Sequence, residues 1–384
     1  MTSRRPVAAV VDLDAVAANV VALVEATSPA AVCAVVKADG YGHGALPVAR
    51  TALAAGAAWL AVALPGEGAV LRDADIDAPV LLLSEPGSDE WDDVVAARLR
   101  PTLYTERGVE EVAKAVARAG GAPLPVHVKV DTGMHRVGAA PGRIPDLVAA
   151  VAERAELSLE GLWTHCAVAD EPDHPFTATQ LARFDEVLAG VRPPIVHAAN
   201  SAAALDHPEA RYDLVRCGIT VYGLDPSAEL AGRVPLRPAM SLVAEVSAVR
   251  EVAAGEAVSY GLRRPVPVDS VVATVPLGYA DGVPRRLSSV GGEVLLGGRR
   301  RPLAGTVTMD QLMVDCGPVG DAAAGAVRPG DEVVLIGRQG DERIGSEEWA
   351  ERLDTISYEI VCGISARVPR RYVGGPGAGS DRPA

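Results

Sequence analysis

The sequence predicts a (β/α)8 barrel followed by a mostly β domain. Apolar runs end near Lys37, Leu64, Ser84, Tyr104, Asp131, His165, Asn200 and Ile219, which makes eight strands. Helical patterns lie between most of them, at 45–55, 66–75, 91–99, 106–119, 144–154 and 179–188. After residue 238 the pattern changes to strand-like alternation broken by Gly and Pro turns. A doubly wound open sheet is the alternative for the first part. The count of eight and the polar residues at the strand ends favour the barrel.

The chain has 384 residues, enough for a domain of about 240 residues and a second of about 140. The predicted barrel spans 12–238 and the mostly β domain 239–373, with Leu236-Arg237-Pro238 as the joint. A short strand over 7–11 is followed by an amphipathic helix over 14–26; that strand pairs either with the barrel or with the second domain. Strands are expected in the second domain at 242–249, 271–276, 294–296, 311–315 and 331–336, with helices at 346–352 and 358–362. Residues 374–384 are Gly, Pro, Ala and polar residues and read as a disordered tail.

Aromatic residues make up only 4% of the chain, so the cores are aliphatic and each tyrosine is conspicuous. A net charge of −14 argues against a nucleic-acid partner, which needs a basic surface. The five cysteines, Cys33, Cys166, Cys217, Cys316 and Cys362, are far apart and form no CxxC. They read as buried reduced thiols of a cytoplasmic protein, with no disulfide framework and no metal site. Arg4 and Arg5 precede an apolar run that Asp12 interrupts, too short for a signal peptide, and no stretch is long enough to span a membrane.

In such a barrel, function gathers at the C-terminal ends of the strands. The polar residues there include Lys37, Lys129, Asp131, His165, Asn200 and Arg216. Phosphate is often bound by the loops after the seventh and eighth strands. Ser201 offers a hydroxyl in the first loop. Gly218, next to Ile219 in the second, lets backbone N–H groups approach an anion. A phosphate-bearing cofactor is therefore expected on physical grounds. Lys37 follows an apolar strand, where desolvation lowers an amine's pKa and frees it to attack a carbonyl. A solvated lysine capping the strand is the other reading.

The string Lys37-Ala38-Asp39-Gly40-Tyr41-Gly42-His43-Gly44 resembles the pyridoxal-phosphate lysine motif of alanine racemases. A second match is His127-Val128-Lys129-Val130-Asp131-Thr132-Gly133-Met134-His135-Arg136-Val137-Gly138, and a third is Thr164-His165-Cys166-Ala167. In the second domain, Val258-Ser259-Tyr260-Gly261, Gly278-Tyr279-Ala280-Asp281-Gly282, Gly305-Thr306-Val307-Thr308-Met309-Asp310-Gln311 and Ser357-Tyr358-Glu359 continue the resemblance. Cys166, Val283 and Thr308 depart from the family's commoner residues.

The resemblance implies pyridoxal 5'-phosphate bound to Lys37 as a Schiff base, with Tyr41 and Tyr358 on its phosphate. It implies His165 near the cofactor ring and hydrogen-bonded to Arg216. Arg216 would face the ring nitrogen; an arginine does not give up its proton, so the ring stays a poorer electron sink and racemisation is favoured over transamination. Arg136 would bind the substrate carboxylate, and Lys129, often carbamylated in the family, would orient it. Tyr260 is implied as the second catalytic base, Tyr279 as an entrance residue, and Met309 and Asp310 as contacts of the substrate region. Lys37 would handle the proton of D-alanine and Tyr260 that of L-alanine. The Tyr260, Tyr279 and Met309 equivalents come from the partner subunit, which implies a homodimer with shared active sites. The expected activity is interconversion of L- and D-alanine for the bacterial cell wall. The alternatives are a serine or broad-specificity racemase of the same fold and a non-catalytic pyridoxal-phosphate-binding barrel protein.

Overall fold

A computed structural model describes residues 5–375, so most of the predicted tail, from residue 376 on, lies outside the described residues. The chain divides into two units. One is Leu13–Pro238; the other joins the segment ending at Asp12 to the segment beginning at Ala239.

The first unit is a barrel of eight parallel strands taken in chain order: Ala31–Val35, Trp59–Val62, Val80–Leu82, Arg100–Leu103, Leu124–Lys129, Leu157–Trp163, Ile195–His197 and Leu214–Cys217. The first strand pairs with both the second and the eighth, Cys33 lying opposite Trp59 on one side and Arg216 on the other. Between the seventh and eighth strands the ladder is thin. The Asp213 N–H donates to Val196 O and the Arg216 N–H to Ala199 O, each at 3.0 Å, which brings the ring round. The strands are short and almost continuously buried, as expected where helices cover one face and the barrel interior the other.

The helices follow from the sequence pattern with local adjustments. Glu106–Ala119 starts at Thr105, whose hydroxyl accepts the Gly108 N–H at 2.9 Å. The helix expected to begin at residue 179 begins at Phe176 instead, directly after Pro175, a residue suited to a helix start. Asn19, on helix Leu13–Thr27, is fully buried and holds the end of the unit. Its amide donates to Val221 O and Arg237 O and accepts the Arg237 N–H.

In the second unit, Val7–Asp12 runs antiparallel to Met240–Glu245 and parallel to Arg370–Val373, so the first strand of the chain belongs to this sheet. The strand expected over 242–249 is two strands, Met240–Glu245 and Ala248–Val252. The break is a change of partner: the Val246 N–H bonds to Asp331 O, the Ser247 N–H to Thr274 O. Arg300–Ala304, Glu342–Ile344 and Arg370–Val373 are further strands that the sequence reading did not include. Among the cysteines, Cys33, Cys166, Cys217 and Cys316 are buried; Cys362 is exposed, against expectation, because its helix Ser357–Cys362 turns Ile360 and Val361 inward.

Candidate active site

Lys37 stands at the mouth of the barrel, half-buried, two residues past the first strand. The chain then makes a left-handed turn, with φ of +52° at Ala38, +51° at Asp39, +61° at Gly40 and +51° at Tyr41. For a non-glycine residue this conformation costs roughly 1–2 kcal/mol. The turn is held by its neighbours. Glu67 accepts the Ala38 N–H at 2.6 Å, and Asp39 accepts the Ala45 N–H at 2.9 Å. The Tyr222 hydroxyl donates to Val35 O at 2.9 Å, fixing the strand end. Strain held in this way is typical of functional sites.

Tyr41, Ser201 and Gly218 come together across the mouth. The Ser201 hydroxyl accepts from the Gly218 N–H at 2.8 Å and from Thr220 Oγ1 at 3.2 Å, which leaves its own proton to donate. A Cβ on Gly218 would stand 2.6 Å from the Tyr41 hydroxyl, so glycine is needed for the two segments to meet. Buried Ile219 opens the turn Ile219–Tyr222 beside them. Asn200 has a local role: its side chain accepts the Ala203 N–H and caps Ser201–Asp206.

Lys129, the last residue of the fifth strand, is buried, with its Nζ 4.3 Å from the centroid of the Trp163 ring. Burial, then Arg216 and Arg136, push its amine down to about 7, with Lys37 adding to the effect. These four cations therefore share one field, an attractive site for a phosphate or carboxylate in a chain that is acidic overall. Asp131 shapes the loop that carries Arg136: it accepts the N–H groups of Gly133 and His135 at 3.0 Å each. Arg136 itself is exposed.

Arg216 is buried and held on several sides. Its Nη2 donates to Thr164 O and Ala198 O at 2.9 Å and to His165 Nδ1 at 3.1 Å, and its Nη1 to His197 Nδ1 at 2.8 Å. The guanidinium also lies 4.5 Å from the centre of the Trp163 ring. Burial lowers its pKa to about 10, so it is charged at neutral pH. His165 is held well below the usual histidine range by burial and by Arg216. A neutral ring that accepts at Nδ1 carries its proton on Nε2. Gln180, fully buried on helix Phe176–Leu188, donates to His165 O at 3.0 Å and accepts the Ala167 N–H at 2.8 Å. It positions His165, and no local sequence signal marked it.

In the second unit, three segments are stitched together. The Ser259 hydroxyl donates to Thr306 O at 2.6 Å and the Thr306 hydroxyl to Tyr260 O at 2.9 Å. The Tyr279 N–H donates to Thr308 O and the Ala280 N–H to Met309 O. This brings Tyr260, Tyr279 and Met309 onto one exposed edge, at 74%, 43% and 52% exposure. Asp310 pairs with Arg367 at 2.7 Å. Tyr358 is half-buried on helix Ser357–Cys362, apart in sequence from these segments. Arg5, read from sequence only as a terminal basic residue, grips both carboxylate oxygens of buried Asp281 at 2.7 and 2.5 Å, while Asp281 accepts the Gly278 N–H.

Comparison with known proteins adds to this geometry. The family model described as alanine racemase, N-terminal domain, matches residues 11–226, and that described as alanine racemase, C-terminal domain, matches residues 239–372. A curated alanine racemase of Symbiobacterium thermophilum is 48% identical over 378 residues, covering 96% of this chain and 98% of its own. The crystal structure of an alanine racemase from D-cycloserine-producing Streptomyces lavendulae superposes with a TM-score of 0.90 at 42% identity, covering 97% of this chain and 98% of that one. A histidine racemase from Leuconostoc mesenteroides is also similar, at 28% identity and a TM-score of 0.88, covering 97% of this chain and 99% of that one.

Proposed function

The chain belongs to the alanine racemase family, and from that premise we propose that it interconverts L-alanine and D-alanine on pyridoxal 5'-phosphate, using Lys37 and Tyr260 as two bases. The observation that carries this reading is Arg216, a buried charged guanidinium fixed at the mouth that also holds Lys37. The residues present fit the cofactor. The Ser201 hydroxyl, the Tyr41 hydroxyl and the Gly218 cradle suit its phosphate, and a cationic mouth suits its charge.

Bound pyridoxal phosphate supplies an electron sink that acidifies the Cα–H of an attached amino acid. The protein does the rest. Lys37 would hold the cofactor and would take or return a proton at Cα from one face. Tyr260 of the partner subunit does the same from the other face, in a two-fold dimer with two shared sites. Three exposed side chains on one edge, in a chain poor in aromatics, support that assembly. Arg136 binds the substrate carboxylate, oriented by Lys129. The low pKa of Lys129 suits reaction of its neutral amine with carbon dioxide: an N–C bond forms, a proton leaves to solvent, and an anion stands beside Arg136. Tyr358 joins Tyr41 at the phosphate, and Tyr279, Met309 and Asp310 line the approach.

No helix among the described residues is long and apolar enough to cross a membrane. We place the protein in the cytoplasm, where it supplies D-alanine for the bacterial cell wall; the buried thiols fit a reducing compartment. A chiral assay of the purified protein across L-amino acids, serine and histidine included, tests the substrate. D-alanine should form fastest. Faster turnover of another amino acid would reassign the substrate, and no turnover at all would remove the racemase reading.

A further inference from the structure

The barrel interior holds a chain of polar side chains that the proposed reaction does not use. His197 accepts from Arg216 at Nδ1, and its Nε2 lies 2.9 Å from Nδ1 of His127. Nε2 of His127 lies 3.2 Å from Glu160 Oε2, and the same oxygen lies 3.0 Å from Arg100 Nε. Both histidines are fully buried, and Glu160 is partly exposed. Barrel interiors are usually filled with branched aliphatic side chains, so a run of two imidazoles between two guanidiniums needs an account.

We propose that Glu160, through His127 and His197, orders a one-way chain of hydrogen bonds that fixes the guanidinium of Arg216, making all three positioning residues for the reaction proposed above, on which this inference rests. The direction follows from donor chemistry. A guanidinium has no acceptor, so Arg216 can only donate to His197 Nδ1. Neutral His197 then carries its proton on Nε2 and donates to Nδ1 of His127. Neutral His127 in turn carries its proton on Nε2 and donates to Glu160. A carboxylate accepts, and Arg100 secures it. Reversing the chain would require Arg216 to accept. Protonating His197 would set its N–H against those of Arg216.

The surroundings are built for this chain. A Cβ on Gly161 would stand 2.2 Å from His127 Nδ1, so any other residue there would displace the ring. Trp163 stacks on His197 with centroids 5.4 Å apart and planes at 10°, and Trp59 meets His127 edge-on. Burial holds both histidines below the usual range and so in their neutral forms, although the Glu160 hydrogen bond opposes this at His127. The charged groups facing His127 are Glu160, Arg100 and Arg216; Arg216 is the one facing His197. Three of the four acceptors of Arg216 engage Nη2, and His197 engages Nη1. The imidazole chain therefore anchors the second nitrogen of the guanidinium, at Nη1.

Nitrogen NMR of the cofactor-loaded protein with labelled histidine reads the ring protonation directly. Both His127 and His197 should carry a proton on Nε2 and none on Nδ1, from about pH 6 to 9. A proton on Nδ1 of either ring, or a doubly protonated ring, overturns the proposal, and this result needs no variant to fold. Kinetics supply the second arm. Glu160→Leu, which leaves His127 Nε2 without its acceptor, should lower kcat by about tenfold or more with KM within about twofold. It should also move the pH profile of kcat, and Glu160→Asp should keep most of the parent's rate. A Glu160→Leu protein with the parent's kcat and pH profile overturns the proposal. If the parent itself racemises nothing, the racemase reading fails and takes this one with it. A racemising parent with the opposite tautomer sinks only the chain.

Discussion

The Tyr41 hydroxyl stands 2.6 Å from where a Cβ on Gly218 would be. The two residues are far apart in sequence, and both face the proposed phosphate position. An alanine there would meet the hydroxyl and the ring of Tyr41. Gly218→Ala should therefore push Tyr41 aside at a cost of about 1–3 kcal/mol. Cofactor retention should fall roughly ten- to hundredfold, read as loss of protein-bound absorbance on dialysis. Retention equal to the parent would remove these residues from the cofactor site.

Lys129, with its amine near 7, should react with carbon dioxide where an ordinary lysine remains protonated. Labelled bicarbonate at pH 8 should give a protein carbamate signal in carbon NMR. It should vanish in Lys129→Met and weaken as the pH falls below 7, when the amine takes up a proton. A signal unchanged in Lys129→Met would place the modification elsewhere.

The Arg5–Asp281 pair predicts a pH-dependent stability. Burial raises the Asp281 pKa, and the Arg5 and Gly278 hydrogen bonds more than offset it, so the folded value lies below the ordinary one. Its contribution is complete above the unfolded value, near 4, and is lost as the pH falls through the folded value. Arg5→Ala should cost roughly 1–3 kcal/mol at pH 7, because buried Asp281 would keep only the more distant Arg367, at 3.5 Å, and the Gly278 N–H. Thermal unfolding at fixed protein concentration should show the gap between parent and variant closing below about pH 4. A gap constant down to pH 3 would contradict this.

Shared sites predict complementation. Lys37→Ala and Tyr260→Ala should each be inactive alone. After subunit exchange, a mixed dimer has one site with both bases intact, and activity should return. If exchange is verified by mass and nothing returns, Lys37 and Tyr260 do not meet across a dimer.

Much of the barrel was legible because most strands end near a polar residue and each helix carries its own periodicity. Glu106–Ala119, with Thr105 before it, agrees with the sequence at both ends. The second unit was harder to read. Arg300–Ala304 reads as a charged turn until Arg300 is seen among Glu293, Glu342 and Glu348, the last two remote in sequence. The partner change after Val246 leaves no local mark either. In the site, Lys37, Arg136, His165 and Arg216 stood inside recognisable strings. Gln180, Arg5, Glu160 and His197 act through neighbours that only the folded chain supplies.

The central claim is that two bases work on opposite faces of one carbon, because a single base would have to cross the substrate plane. Hydrogen exchange in Tyr260→Phe tests it most directly. The variant, incubated in deuterium oxide, should racemise at least about a hundredfold more slowly, close to 3 kcal/mol in the barrier. It should still exchange the Cα hydrogen of D-alanine through Lys37, and should lose exchange of L-alanine. Exchange of L-alanine at the parent's rate, or racemisation within a few-fold of the parent, would contradict the two-base account.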